Sequence, residues 1–176
     1  NLTYNVPWLQ MEWNHQVVGK DYNPEVGFVP RKDFYRVAPA VQFTFYPNRK
    51  VVNPGPGIQA EYTWNDQYGK TDHLFALTYE VNFSNNAEWR SALQHEYTYL
   101  FADFDPTRSG EGEPLPVDSE YCYVSLNTEF ESDQRKNFYF AAEGQFGQFF
   151  NGRLYSVQGE LNYRYQRFVD AALNFA

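Results

Sequence analysis

Alternation of apolar and polar residues is the dominant pattern of this chain. In the segment 73–83, HLFALTYEVNF, the odd-numbered residues are mostly aromatic or aliphatic and the even-numbered ones are mostly small or polar. A similar alternation resumes over 89–101. A period of two over about eleven residues predicts a long β-strand with one apolar and one polar face. Strands of about ten residues are typical of transmembrane β-barrels, whereas strands of soluble sheets commonly have five or six.

The same pattern predicts about nine strands along the chain. Proline interrupts it twice. Pro7 shifts the register of the first segment, and Pro39 indicates a bulge, a strand start or a local gap in pairing, because proline cannot donate to a ladder. The predicted strands cover approximately residues 2–16, 35–46, 57–65, 73–83, 89–101, 120–132, 137–147, 153–165 and 168–176.

The predicted connections fall into two interleaved sets. One set contains two long loops and the other contains mostly tight turns. A meander with its long loops at one end is typical of outer-membrane barrels. We therefore predict an all-β fold: a single domain, residues 1–176, forming an antiparallel up-and-down transmembrane β-barrel of the outer-membrane type. A soluble lipocalin-like barrel or a sandwich is the alternative. The sets are 17–34, 66–72, 102–119 and 148–152, and 47–56, 84–88, 133–136 and 166–167.

Composition agrees with this class. The chain is 43% hydrophobic, yet its mean hydropathy is −0.66, as expected when only alternate residues meet lipid. No stretch approaches the roughly 20 apolar residues of a transmembrane helix. The net charge of −8 argues against a nucleic-acid partner, which requires clustered Lys and Arg. The single cysteine, Cys122, excludes an internal disulfide and shares a predicted apolar face with Val124 and Leu126.

Aromatic residues make up 20% of the chain, and many lie near predicted strand ends. Trp and Tyr anchor barrels at both membrane interfaces, because each ring has an apolar body and a polar tip. The sequence therefore predicts two aromatic belts. The belt toward the long loops contains Trp13, Trp64, Tyr97, Tyr99 and Phe101, and the belt toward the short turns contains Trp89, Phe138, Tyr163 and Tyr165.

An odd number of strands is unusual, because single-chain bacterial barrels usually have an even number. The sequence also begins at Asn1 without an export signal. We therefore expect this chain to be a fragment of a larger barrel in the bacterial outer membrane, in contact with outer-membrane lipid.

The predicted polar face is rich in ionisable residues. These could form an acidic channel or a polar site for a cation or a sugar. They could equally form the Arg–Glu networks that satisfy ordinary barrel interiors. The sequence predicts no catalytic residue, metal site or cofactor among them. The residues of this face are Arg36, Glu61, Glu80, Arg90, Glu96, Glu129, Glu131, Glu143, Glu160, Arg164 and Asp170.

Two other groups of residues could carry chemistry. The segment 102–119 contains five carboxylates, but their spacing does not match a calcium-binding loop, so a solvated surface loop is expected. The histidines His15, His73 and His95 are scattered on apolar faces without the spacing of a zinc-binding helix. The five carboxylates are Asp103, Asp105, Glu111, Glu113 and Asp118.

One motif resembles a known family. The segment 13–36, with the core GKDYNPEVGFVPRKDFYR, and the later segment 149–165, FFNGRLYSVQGELNYRY, are similar to an outer-membrane family of Bacteroidota. Members of that family join an N-terminal domain similar to carbohydrate-binding family nine to a large C-terminal barrel of uncharacterised function. The resemblance implies that this chain is part of that barrel, and it implies no catalytic residues.

Glycine and proline also mark the first part of this motif as a structured loop. Its charged residues could pair and hold the loop against the barrel mouth. We predict a latching role for Lys20, Asp21, Arg31, Lys32 and Asp33.

Three functions are compatible with the sequence. The preferred one is a transport or surface-assembly component of the outer membrane, with other outer-membrane or periplasmic proteins as partners and a link to carbohydrate binding or uptake. An outer-membrane hydrolase with a site at the rim would require a nucleophile, a base and oxyanion donors to converge. A soluble ligand-binding barrel would require the aromatic face to form its core.

Overall fold

The computed structural model describes residues 1–23, 31–47, 50–108, 113–165 and 169–175. These residues form strands and turns, and they include no helix long and apolar enough to cross a membrane. The ten strands are β1 (Leu2–Val6), β2 (Leu9–Val18), β3 (Phe34–Phe43), β4 (Val51–Asn65), β5 (Gly69–Phe83), β6 (Glu88–Tyr99), β7 (Glu120–Glu131), β8 (Phe138–Phe149), β9 (Gly152–Tyr165) and β10 (Val169–Phe175).

The ten strands form one antiparallel sheet in sequence order, from β1 to β10. This confirms the predicted all-β, up-and-down topology. Within the described residues, β1 pairs only with β2 and β10 pairs only with β9. The sheet is therefore open.

The predicted number of nine strands is wrong by one. The segment 2–16 was expected to be a single strand, but it contains β1 and most of β2, which pair antiparallel with Val6 opposite Leu9. Pro7 and Trp8 form the two-residue turn between them. The shift of phase at Pro7 therefore marks a hairpin, because proline favours turns and lacks the N–H that a ladder needs.

Strand β4 begins at Val51, six residues before its predicted start, and includes the sequence Pro54–Gly57. Such residues normally indicate a loop. Here Pro54 and Pro56 pair in register with β5. The side chain of Gln42 donates a hydrogen bond to the Gly55 carbonyl at 2.9 Å. A polar side chain from the adjacent strand therefore supports this irregular segment.

The connections differ in length between the two ends of the sheet. Both long connections, 19–33 and 100–119, lie at the same end, as predicted. We call this the long-loop end, and the opposite end the short-turn end. The connections at the long-loop end are 19–33, 66–68, 100–119 and 150–151, and those at the short-turn end are 7–8, 44–50, 84–87, 132–137 and 166–168.

Residues that lie opposite each other on neighbouring strands have similar polarity. One continuous row crosses nine strands, and every member is apolar or aromatic. We call the face that carries this row the apolar face, and the opposite one the polar face. The row consists of Tyr4, Met11, Val41, Ile58, Leu77, Leu93, Leu126, Phe146 and Tyr155, and the polar face includes Glu12, Arg36, Glu61, Glu80, Arg90, Glu96, Ser125, Glu129, Glu143, Gln158 and Glu160.

Large side chains in the middle of the apolar face are exposed, whereas those of a soluble sheet would be buried in a core. On the apolar face Leu77 is 58% exposed and Val157 is 51% exposed. On the polar face Ala76 is 2% exposed and Tyr123 is 6% exposed. The accessible surface of the chain is 12575 Å², whereas a compact monomer of this mass would have roughly 8,900 Å². The apolar face is therefore not packed into a core.

Asp133 joins two turns at the short-turn end. Its carboxylate accepts hydrogen bonds from the backbone N–H and the Nε of Arg135, both at 3.1 Å. It also accepts one from Asn86 in the neighbouring turn at 3.3 Å. The hydrogen bonds from Arg135 hold the pKa of the Asp133 carboxyl below its ordinary value of 3.8.

We expect Asp133 to stabilise the fold in a pH-dependent way. Because its pKa is lower in the folded state, its contribution is fully present at neutral pH and is lost as the pH falls below 3.8 and through the folded pKa. Urea unfolding of the wild type and of D133N over a pH series measures this. The stability difference between them should shrink in acid, and a difference independent of pH would contradict the assignment.

Candidate functional site

The candidate site is the polar face, where the structure places the predicted ionisable residues. Register puts Glu80 opposite Arg90, Arg90 opposite Glu129, and Glu129 opposite Glu143. Farther along the sheet Arg164 lies opposite Asp170. The predicted residues share one face, but they separate into three groups along it.

The first group lines a concavity of about 690 Å³ at the long-loop end. Arg36 forms an ion pair with Glu61. Glu96 accepts a hydrogen bond from the Tyr123 hydroxyl at 3.1 Å. Arg36 and Glu61 therefore pair with each other, and neither is an unpaired charge in the concavity.

The second group surrounds Arg90 nearer the short-turn end. The guanidinium of Arg90 forms ion pairs with Glu88 and Glu129, the latter at 3.3 Å. Like charges also oppose each other here, since Glu129 lies opposite Glu143 and Glu88 opposite Glu131. Directly opposed like charges destabilise a sheet. Arg90 is therefore the residue that offsets the repulsion in this group.

The third group contains Glu160 and Arg164 on β9. Glu160 accepts a hydrogen bond from Asn162 at 2.5 Å. Both residues line a concavity of about 590 Å³ toward the short-turn end. The three groups are spread over strands β3 to β9, so the polar face resembles an extended lining more than one focused site.

Two of the five residues of the predicted latch contact the sheet. Arg31 forms an ion pair with Asp72 of β5, and its guanidinium lies 4.5 Å from the ring centroid of Phe101. Asp33 accepts a hydrogen bond from Asn65 at 3.5 Å. Arg31 therefore connects both long loops to the sheet. The remaining three, Lys20, Asp21 and Lys32, make no hydrogen bond or ion pair with any residue of the described ranges.

The loop 100–119 is more ordered than predicted. Phe104 pairs with Leu115 in an isolated bridge, and Leu115 is buried. The ring of Phe104 lies 5.1 Å from that of Phe150, which in turn lies 5.4 Å from Tyr123 on the polar face. The expected solvated loop is thus wrong for these apolar residues. The adjacent aromatic residues Phe149 and Phe150 at a strand end were the one sequence signal from which this packing could have been predicted.

The carboxylates of this loop stabilise turns and do not converge. Asp103 accepts a hydrogen bond from the Val117 N–H at 2.9 Å. Asp105 accepts one from the Thr107 N–H at 2.8 Å, and Asp118 accepts one from the Tyr99 hydroxyl at 2.6 Å. Glu111 lies outside the described residues. Over the described part of the chain, no three His, Cys, Asp or Glu residues are placed to hold a metal ion.

The apolar face carries aromatic contacts near both ends of the strands. At the long-loop end Tyr35 stacks on Trp64, with ring centroids 5.6 Å apart. At the short-turn end Tyr79 contacts Trp89 at 6.0 Å. Trp13 differs from its predicted position, because it lies in the middle of β2, opposite Pro39. The prediction that Trp13 lies near a strand end is therefore wrong.

The remaining predicted residues of this face agree with the alternation. Cys122 is exposed and lies opposite Tyr97. His73 and His95 contact each other, with 3.0 Å between Nε2 and Nδ1. In the ranges that the structure describes, no hydrogen bond joins a serine to a histidine.

Comparison with protein-family models, curated proteins and solved structures found no match.

Proposed function

We propose that this chain is an outer-membrane β-barrel, or part of one, whose polar face lines the interior and whose apolar face meets lipid. The observation that carries the proposal is the exposure of the continuous apolar row. Leu77 in the middle of that row is 58% exposed, whereas its neighbour Ala76 on the polar face is 2% exposed. Lipid is the solvent in which such a face is stable.

The size of the exposed row supports contact with lipid over contact with water. Exposed apolar patches of soluble monomers rarely exceed a few hundred Å². A row of nine large side chains across nine strands exceeds that range, and further rows lie on either side of it. A soluble barrel would instead place this face in its core, as the hydrophobic effect requires.

The polar face supports transport of polar solutes or a role in surface assembly. Its ion pairs and concavities line a surface that water can fill. The satisfied pairs Arg36–Glu61 and Arg90–Glu129 favour a passive lining over a catalytic centre, since catalysis requires a convergent nucleophile and base. The resemblance to the Bacteroidota family extends the proposal to a role alongside carbohydrate binding or uptake, with partners in the outer membrane or periplasm.

Reconstitution tests this proposal. We expect the purified chain to fold into phosphatidylcholine vesicles and its tryptophan fluorescence to be quenched by brominated acyl chains, because Trp13 and Trp89 lie on the apolar face. The control is the same chain in buffer with the brominated vesicles added after refolding without lipid. A monodisperse, water-soluble protein that brominated lipid does not quench would favour the soluble barrel and refute the proposal.

A further inference from the structure

Charged residues on the apolar face lie at one end only. Three of them lie on this face in the described strands: Glu120 and Arg153 through alternation, and Lys70 through a bulge. All three lie at strand ends next to the connections 66–68, 100–119 and 150–151. The apolar face therefore has a charged margin at the long-loop end and none at the short-turn end of the described strands.

Lys70 reaches this margin through a bulge. The register between β4 and β5 shifts between Thr63 and Trp64, so that Trp64 pairs with Lys70. The Lys70 ammonium then lies 3.4 Å from the centroid of the Tyr97 ring. It forms no ion pair with any carboxylate of the described residues. An aromatic ring holds this cation, and the carboxylate of Glu120 lies near the hydroxyl of the same tyrosine without forming an ion pair with Lys70.

One imidazole lies beside the same tyrosine, and a second imidazole lies beside the first. The ring of His73 stacks on Tyr97 at 5.4 Å and on His95 at 5.0 Å. The two imidazoles share one hydrogen bond of 3.0 Å. Each neutral imidazole carries one N–H, so the ring that accepts this bond keeps its own N–H on its other nitrogen. The pair therefore retains a donor for an outside acceptor in either tautomeric arrangement.

The position of this cluster along the strand matches the lipid headgroups, an argument that rests on the proposed function. Ten residues separate His73 from Phe83 at the other end of β5. At about 3.4 Å per residue and a tilt of about 40°, they span about 26 Å along the membrane normal. The apolar band of a membrane barrel is about 25 Å tall. Lys70, three residues farther, then lies at headgroup level.

We propose that Lys70, His73 and His95 form a binding site for the phosphate of a lipid headgroup at the long-loop end of the apolar face. A lysine at this depth extends its ammonium toward the interface, where anionic phosphate is the available partner. The imidazole N–H supplies a second donor, and Tyr97 holds both groups in place. Charge complementarity favours an anionic lipid over a zwitterionic one.

The test measures lipid preference in vesicles. Tryptophan quenching by brominated phosphatidylglycerol is compared with quenching by brominated phosphatidylcholine, which gives the relative association constant of the anionic lipid. Trp64 pairs with Lys70 and reports on this region. We expect the wild type to prefer phosphatidylglycerol and K70Q to lose about fivefold in that constant, in line with the attraction of one basic residue to an anionic surface. The double variant H73F/H95F should show a smaller loss.

Arg153→Gln is the matched control, because it removes the same charge from the same margin without neighbouring imidazoles. Equal losses in K70Q and R153Q would indicate diffuse charge attraction and overturn the site. If excess inorganic phosphate abolishes the preference for phosphatidylglycerol, the cluster binds a soluble anion, and the proposed lipid site is refuted. If neither brominated lipid quenches the wild type, the proposed function fails. If both quench it equally, the chain is inserted and only the headgroup site fails.

Discussion

Replacing Val157 by arginine is expected to cost about 2–4 kcal/mol in the free energy of folding into a bilayer, which is the range for arginine at the midplane of a barrel's lipid face. Val157 is half-exposed and lies near the middle of β9, next to the apolar row. A lipid-facing arginine must either remain desolvated or deform the bilayer, and both are costly. Denaturant titration of the variant in phosphatidylcholine vesicles measures the loss.

Gln158→Arg provides the control on the same strand. Gln158 is exposed on the polar face, opposite Glu143, where an arginine meets a carboxylate. We expect its effect to stay within about 0.5 kcal/mol. In an aqueous protein both substitutions would be surface changes of that small size. Equal stabilities of V157R and Q158R would therefore exclude lipid contact at Val157.

Replacing Gly55 by alanine is expected to destabilise the fold by about 1–3 kcal/mol, the usual cost of overpacking. A Cβ at this position would lie 2.1 Å from the carbonyl oxygen of Phe43, which is backbone and cannot rotate away. The strands β3 and β4 would have to separate locally. The loss is measured as a shift in the unfolding free energy under the same lipid or detergent conditions for all variants.

Gly19→Ala is the matched control for this effect. No heavy atom lies within 4 Å of a Cβ at Gly19, so its substitution should change stability by less than about 0.5 kcal/mol. A G55A variant as stable as G19A would show that β3 and β4 do not approach each other as closely as the structure has them.

Much of the fold follows from local pattern. Alternation predicted the core of β5 and β9, because side chains of a strand point to opposite faces with a period of two. The hairpin between β1 and β2 was missed, because a two-residue turn at Pro7 and Trp8 leaves no polar stretch to mark it. The early start of β4 was missed, because Gln42 on another strand supports its glycine- and proline-rich segment.

From the sequence, only the face of the sheet that carries the site could be predicted, and not the contacts between its residues. The sequence placed Arg90, Glu129 and Glu143 on the polar side of their strands, and the register then made Arg90 and Glu129 partners and set Glu129 against Glu143. Pairing across strands depends on turn lengths and bulges, which local composition does not encode. The aromatic cluster of Phe104, Phe150 and Tyr123 was invisible for the same reason, because its members are far apart in sequence.

The apolar and polar faces, the strand periodicity and the position of the long loops were determined by the amino-acid sequence alone. They depend on the order of neighbouring residues, to which strand geometry responds directly. Only the tertiary structure decided that the apolar rows join across the sheet and stay exposed. It also decided that Lys70 meets His73 and Tyr97. Those contacts arise from register, and register is a property of strand pairs.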